Sequence, residues 1–170
     1  MRNFASLAAL AAAALALGLS SAHAQTASGN LSITFNLGAS CTTAQVTPVT
    51  FPGAATGTIA AETATGSISV NCTSGALYNV GLDAGLHPST AGNTSTRRMA
   101  GTVNTTKYVT YDLWQDSGDS THWGNTPPTD TVGGTGTGSA QTISVYGKIP
   151  AQTEATADAY ADTVGITVYF

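Results

Sequence analysis

The stretch Gly66-Ser67-Ile68-Ser69-Val70-Asn71-Cys72-Thr73 decides the fold class of this 170-residue chain. Apolar and polar residues alternate along it, so successive side chains point to opposite faces of an extended backbone. A period of two is typical of a β-strand that has one face in the core and the other in solvent. The apolar members of the stretch are Ile68, Val70 and Cys72.

The same alternation recurs along the chain, and no segment has a convincing helical period. Turn-rich stretches such as residues 85–93 separate the runs, which favours an all-β sandwich or barrel. Residues 133–138 are predicted to form a flexible glycine-rich loop, because a strand and not a helix follows them. The other alternating sets are Leu31, Ile33, Phe35 and Leu37; Val109, Tyr111 and Leu113; Ile143, Val145 and Ile149; and Val164, Ile166, Val168 and Phe170.

The N-terminus has the layout of a secretory signal peptide. A short basic start precedes an apolar run at residues 4–19, and residues 20–24 offer a small-x-small cleavage site before Gln25. The alternative is a transmembrane anchor, but the run is shorter than the roughly 20 residues that a span needs. We therefore predict residues 1–24 as a signal peptide and export through the periplasm.

The charge composition argues against nucleic-acid binding. Only 8% of the residues are charged, against roughly 25% in typical soluble domains. Without Arg2, the remaining four basic and nine acidic residues give the mature chain a net charge of −5. Nucleic-acid phosphates require a basic surface, so this class of partner is not expected.

Cys41 and Cys72 are the two cysteines, and both follow the predicted cleavage site. An even number in an exported protein predicts one disulfide. Free thiols or a metal-binding pair are the alternatives. A metal is disfavoured because the CxxC spacing and a neighbouring histidine are both absent.

The order of several short motifs resembles the spore coat protein U domain family, which includes the major pilins of archaic chaperone–usher pili. Each motif is weak alone, but the set covers nearly all of the mature chain. The motifs are Thr34-Phe35-Asn36, Cys41-Thr42, residues 66–73, residues 78–85, Arg98-Met99, residues 113–116, Trp123-Gly124, residues 145–150 and residues 160–164 through to the aromatic end.

The resemblance implies an immunoglobulin-like sandwich that lacks its seventh strand. A periplasmic chaperone would lend a strand to the nascent subunit, and at an outer-membrane usher the N-terminal segment of another copy or a related pilin would replace it. The implied disulfide ties the first two strands together. The implied organisation is a donor segment at residues 25–38 and a sandwich domain at residues 39–170. Leu31, Ile33, Phe35 and Leu37 would be the donor residues, and Val164, Ile166, Val168 and Phe170 would form the acceptor and chaperone-contact strand.

Residue types that often carry chemistry are present, but no catalytic constellation is legible. Asp112, Asp116 and Asp119 could suggest a calcium or glycosidase site, yet neither EF-hand spacing nor a paired-carboxylate cleft is evident. His87 and His122 are predicted as surface histidines. We expect no enzyme activity, cofactor or metal.

Aromatic and basic residues leave two further alternatives. Tyr111, Trp114 and Trp123 could form a sugar-stacking platform, although core or subunit-contact positions are favoured. The pair Arg97-Arg98 is predicted to lie on a solvated edge.

The sequence therefore predicts a structural subunit of a surface pilus or coat that serves adhesion or biofilm formation. The alternatives are a secreted coat or matrix protein that forms no fibres, and a monomeric carbohydrate-binding β-sandwich. A host or abiotic surface would be a partner of the assembled form. An ordinary first strand at residues 31–37, inside its own domain, is the alternative to strand exchange.

Overall fold

The computed structural model describes residues 30–54, 58–153 and 156–170. The predicted signal peptide lies outside the described residues. Leu37–Phe170 forms one compact unit, and the described residues 30–36 belong to the other unit of the chain. No helix in the described ranges is long and apolar enough to cross a membrane.

The described residues confirm the all-β prediction, because their regular structure is ten strands and one short 3-10 helix, Thr94–Thr96. The strands are β1 Cys41–Thr47, β2 Glu62–Cys72, β3 Leu77–Leu82, β4 Arg98–Gly101, β5 Tyr108–Thr110, β6 Asp112–Trp114, β7 Val132–Thr135, β8 Ala140–Ile149, β9 Tyr160–Ala161 and β10 Ile166–Tyr169.

The strands form three antiparallel sheets. The first has the order β1-β2-β8-β6, the second β10-β3-β7 and the third β5-β4-β9. A continuous register from Glu62↔Ile149 to Asn71↔Ala140 makes the β2–β8 pair the longest ladder of the fold. Because the register is antiparallel and unbroken, the apolar alternation of the two strands falls on the same face.

All three sheets contribute to one apolar core. Ile68 and Val145 come from the first sheet, Val80 and Leu82 from the second, and Val109 from the third. Trp123 lies among them with its side chain fully buried, and its indole Nε1 donates to the carbonyl oxygen of Val80 at 2.8 Å. The packed layers are those of the predicted sandwich.

The alternating run at residues 109–113 is two strands and not one. β5 pairs with β4 in the third sheet, whereas β6 pairs with β8 in the first. Tyr111 lies at the switch, where its backbone N–H donates to the carbonyl oxygen of Arg97. Alternation marks which side chains enter the core, but it does not show that the backbone changes sheets.

The predicted flexible loop at residues 133–138 is wrong at its beginning, since Val132–Thr135 is strand β7. β7 pairs with β3 in a register that places Gly134 opposite Tyr78. A Cβ at Gly134 would lie 2.5 Å from the Tyr78 ring, so the missing side chain leaves room for that ring. Glycine is usually rare in strands, and close approach explains it here.

Candidate functional site

An apolar groove with a volume of about 890 Å³ opens into the core of the compact unit. Core side chains, among them Ile68, Val145 and Leu82, form part of its lining. The rest comes mainly from two stretches, residues 46–54 and residues 156–166. An accessible groove lined by core side chains is unusual, because such surface is normally covered when a domain folds.

Strand β10 follows the second of these stretches. It pairs with β3 from Ile166↔Leu82 to Tyr169↔Asn79, and in the described chain its other edge has no hydrogen-bonded strand. Val164, Ile166 and Val168 are half-buried and pack against the core, as their alternation predicts. Phe170 is 62% exposed. The edge therefore presents unpaired backbone groups beside an apolar surface.

The other stretch continues from the end of β1. Val49 and Phe51 leave the sheet and pack against the core, over two glycines of β2 and β8. A Cβ at Gly66 would lie 2.5 Å from the Thr47 carbonyl oxygen, and one at Gly147 would lie 2.5 Å from a Val49 methyl. The two glycines thus let this wall lie directly on the first sheet.

A disulfide fixes β1 at its start. Cys41 and Cys72 form a disulfide across a sequence separation of 31. The two residues are direct partners in the β1–β2 register. The predicted pairing is confirmed. The bond ties the strand that leads into one wall of the groove to the longest ladder of the fold.

Two carboxylates anchor the segment that leads into β10. Asp83 Oδ1 accepts hydrogen bonds from the backbone N–H groups of Gly85 and Gly165, each at 2.8 Å. Asp162 accepts from the Tyr111 hydroxyl at 2.6 Å and from the Leu86 backbone N–H at 2.9 Å. Burial and the hydrogen bond to Asp162 raise the pKa of Tyr111, so the phenol stays protonated and acts as the donor.

The prediction of a solvated edge for the Arg97-Arg98 pair is wrong for Arg97, whose side chain is 0% exposed. Its guanidinium donates to the carbonyl oxygens of Leu82, Asp83 and Trp123 at 2.8–2.9 Å. Burial lowers the pKa of Arg97. Arg97 thereby connects β3, β4 and the segment after β6, a role that no sequence pattern indicated.

The three aromatic residues do not form an exposed platform. Trp123 and Tyr111 are buried in the core, as favoured from the sequence. Trp114 is half-buried, and its ring lies edge-on to that of His122 with 5.8 Å between centroids. A coplanar sugar-stacking surface built from these three side chains is therefore not present.

The three aspartates considered for calcium or catalysis have separate structural partners. Asp112 lies 2.9 Å from His122 Nε2 and 3.5 Å from Arg97 Nη1. Asp116 accepts hydrogen bonds within the turn that ends at Thr121, and Asp119 pairs with Lys148 at 2.8 Å. Among the described residues, no group of three or more His, Cys, Asp or Glu side chains is placed to hold a metal ion.

The predicted histidines are partly covered. The His122 side chain is 23% exposed and contacts Asp112, whereas half-buried His87 lies 6.3 Å from the Tyr108 ring between centroids. Neither contact forms a nucleophile–base pair.

The four predicted donor residues are among the most exposed apolar side chains of the described chain. Leu31, Ile33 and Phe35 are 84–87% exposed, and Leu37 is 73% exposed. Residues 30–40 belong to no strand. The role of the four apolar residues as donors stays a prediction.

Comparison with known proteins places this fold among related chains. The family profile of the Spore Coat Protein U domain matches residues 27–167. Protein U of Myxococcus xanthus is 33% identical over an alignment that is 182 positions long, gaps included, and covers 96% of either chain.

Among solved structures, the chain is similar to one in the CsuC–CsuE chaperone–tip adhesion subunit pre-assembly complex, from the archaic chaperone–usher Csu pili of Acinetobacter baumannii. The TM-score is 0.56 at 20% identity, and the match covers 78% of this chain. It spans 40% of the length of that chain. At this identity the similarity concerns the fold.

Proposed function

The chain belongs to the Spore Coat Protein U domain family, and from this premise we propose that it is a structural subunit of a surface pilus. In this proposal the subunits polymerise by donor-strand exchange after export through the periplasm, and the polymer serves adhesion or biofilm formation. One observation carries it: the apolar groove lies beside the free edge of β10. A strand added there would cover core side chains and pair exposed backbone groups together.

The proposed occupant is the N-terminal segment of another copy of the chain. Its four alternating residues, Leu31, Ile33, Phe35 and Leu37, would occupy one face of a strand about 20 Å long. Burying them would stabilise the complex by about 6–12 kcal/mol as an upper estimate, at roughly 1.5–3 kcal/mol each. Val164, Ile166, Val168 and Phe170 are the proposed acceptor positions.

The same groove gives the proposed chaperone and usher their roles. An apolar groove of this size would promote aggregation if it stayed uncovered in the periplasm. A chaperone strand would cover it before assembly, and the usher would exchange that strand for the donor segment of the next subunit. The solved complex of a chaperone with a subunit of similar fold supports this order.

The experiment compares purified mature protein with a Phe35→Asp variant, using electron microscopy and size-exclusion chromatography. Wild type should polymerise, or should become stable when a peptide of residues 25–38 is added. Phe35→Asp should form no fibres, because a charge would enter the apolar groove. Thr34→Asp is the matched control, since it places the same charge on the opposite face of the segment. Unchanged fibres in Phe35→Asp, or a stable wild-type monomer that ignores the peptide, would contradict the proposal.

A non-fibrous coat protein is the second candidate, and the family profile itself favours it. A coat protein would form a layer on the cell surface in place of filaments, and the same electron microscopy would distinguish the layer from filaments. A monomeric carbohydrate-binding module receives less support, because Trp123 and Tyr111 are buried.

A further inference from the structure

A small cationic and aromatic surface lies on the third sheet, on the face opposite the groove. In the β4–β5 ladder, the Met99–Val109 pair lines the groove, so the flanking Arg98 and Tyr108 side chains lie on the opposite face, where Arg98 is half-buried. We call Arg98, Tyr108 and the adjacent His87 the Arg98 patch. Tyr108 is 40% exposed.

The Arg98 side chain is held in one orientation. Its Nε donates to the His87 carbonyl oxygen at 3.0 Å, and Nη2 donates to that of Pro88 at 3.3 Å. Its guanidinium carbon lies 4.1 Å from the centroid of the Tyr108 ring. Two of the five N–H groups are thereby used, so Nη1 and Nη2 both keep an N–H for a ligand. Two parallel donors are the geometry that a carboxylate accepts.

Arg98 is one of two basic residues in the described chain that lack a carboxylate partner. The buried Arg97 has Asp112 as its carboxylate partner, and Lys148 pairs with Asp119. Lys107 also lacks a carboxylate partner in this part of the chain, but it is an exposed residue of the turn that precedes β5.

The carboxylates of Asp158 and Asp162, which bind segments near the patch, already accept hydrogen bonds from other groups. Asp158 accepts from the backbone N–H groups of Val103, Asn104 and Ala159, and Asp162 accepts from Leu86 and Tyr111. The Arg98 guanidinium therefore keeps its charge available to an external anion.

We propose that the Arg98 patch binds the carboxylate groups of an acidic polysaccharide. The fixed guanidinium supplies two N–H donors to a uronate, and the part of the Tyr108 ring that the guanidinium leaves exposed supplies an apolar surface for the C–H face of a neighbouring sugar. Hydroxyl residues adjoin the patch, because Thr110 is opposite Arg98 in the register and Ser89 and Thr90 follow Pro88, which suits a polyhydroxylated ligand more than an acidic peptide. The patch faces away from the groove, so it stays accessible when the groove is filled.

A polymer of subunits would repeat this site, and a polysaccharide repeats its carboxylates. Weak single contacts then add up through effective concentration. This gain depends on the proposed function, but binding at a single patch does not.

The test measures binding of the full secreted chain to immobilised polygalacturonate, with neutral dextran and anionic phospholipid vesicles as competing surfaces. Each variant is also made in the Phe35→Asp background, so that loss of polymerisation is separated from loss of binding. We expect polygalacturonate binding that weakens with salt, and about tenfold weaker binding for Arg98→Gln. Arg98→Lys should also bind more weakly, because an ammonium cannot form the two parallel bonds.

Lys107→Gln is the matched control, since it removes the same charge from the exposed turn before β5, and it should bind within about twofold of wild type. Tyr108→Ala leaves the bonds of Arg98 to His87 and Pro88 in place and should still weaken binding, which guards against misfolding of the Arg98 variants. Equal binding by wild type and Arg98→Gln would overturn the proposal. Equal losses in Arg98→Gln and Lys107→Gln, or a preference for the vesicles, would do so as well.

Discussion

Arg97 Nη2 donates a hydrogen bond to the carbonyl oxygen of Trp123 at 2.8 Å, and both side chains are fully buried. The guanidinium also satisfies the carbonyl groups of Leu82 and Asp83. An unsatisfied buried polar group costs about 1–3 kcal/mol. We expect Arg97→Met to lower the free energy of unfolding by at least about 3 kcal/mol, measured by urea titration.

Lys107→Gln is the control for Arg97→Met, because Lys107 is exposed and its change should stay within about 0.5 kcal/mol. A stable Arg97→Met protein would show that the guanidinium does not hold the three segments together.

The disulfide joins Cys41 and Cys72, which are separated by 31 positions in the sequence, and so closes a loop of the chain. Removing it with the double change Cys41→Ser and Cys72→Ser should reduce the free energy of unfolding by about 3–4 kcal/mol, because the unfolded chain gains freedom. Wild type in reducing buffer should shift by the same amount in urea titration. No shift under reduction would mean that the β1–β2 ladder holds this wall without the bond.

Gly147 lies under the Val49 and Phe51 side chains. A methyl group at this position would displace both, so Gly147→Ala should destabilise the subunit by about 1–3 kcal/mol and weaken binding of the peptide of residues 25–38. Gly38→Ala, made only in the subunit while the added peptide keeps its sequence, is the matched control, since nothing lies within 4 Å of a Cβ there. Fluorescence anisotropy of labelled peptide would measure the affinity, and equal values for the two variants would contradict the assigned wall.

The Tyr111–Asp162 hydrogen bond fixes the segment before β10. Tyr111→Phe removes the donor with little change in volume, so we expect a loss of about 1–2 kcal/mol in the free energy of unfolding. Hydrogen exchange at residues 162–166 should increase, because one of the two anchors of this segment is gone. Faster exchange spread evenly over the whole domain would instead indicate a general effect on the core.

Asp158 gives a pH dependence. Hydrogen bonds from backbone N–H groups, foremost that of Asn104, lower the pKa of this carboxyl below its ordinary value. The stabilisation it contributes is therefore present above pH of about 4 and is lost as pH falls through the folded-state pKa. The difference in melting temperature between wild type and Asp158→Asn should be largest near neutral pH and should shrink in acid. A constant difference from pH 7 to pH 2 would contradict this.

Several features of the fold could be predicted because they depend on local pattern. Alternation identified β2 and β8, whose apolar faces enter the core over long, continuous ladders. It also identified the inward positions of β10. The cysteine pair followed from the cysteine count and the predicted export, and the ordered motifs indicated the family that the profile match confirms.

Other features could not be predicted from the sequence because they depend on contacts between residues that are distant along the chain. The run around Tyr111 reads as one strand, yet its two halves pair with β4 and β8 in different sheets. The residues at 132–135 read as a loop because glycine disfavours strands, but the Tyr78 ring occupies the space of the missing side chain.

The sequence by itself determined that this chain is an all-β, disulfide-bonded member of its family. Alternation is a property of neighbouring residues, and the cysteine count and the order of the motifs can be read directly from the sequence. Only the tertiary structure decided that the Arg97 side chain is fully buried while that of the adjacent Arg98 is half-buried. The physical reason is that successive side chains at the start of β4 point to opposite faces of the sheet. Which face meets the carbonyl groups of Leu82 and Trp123 is settled by how the sheets pack.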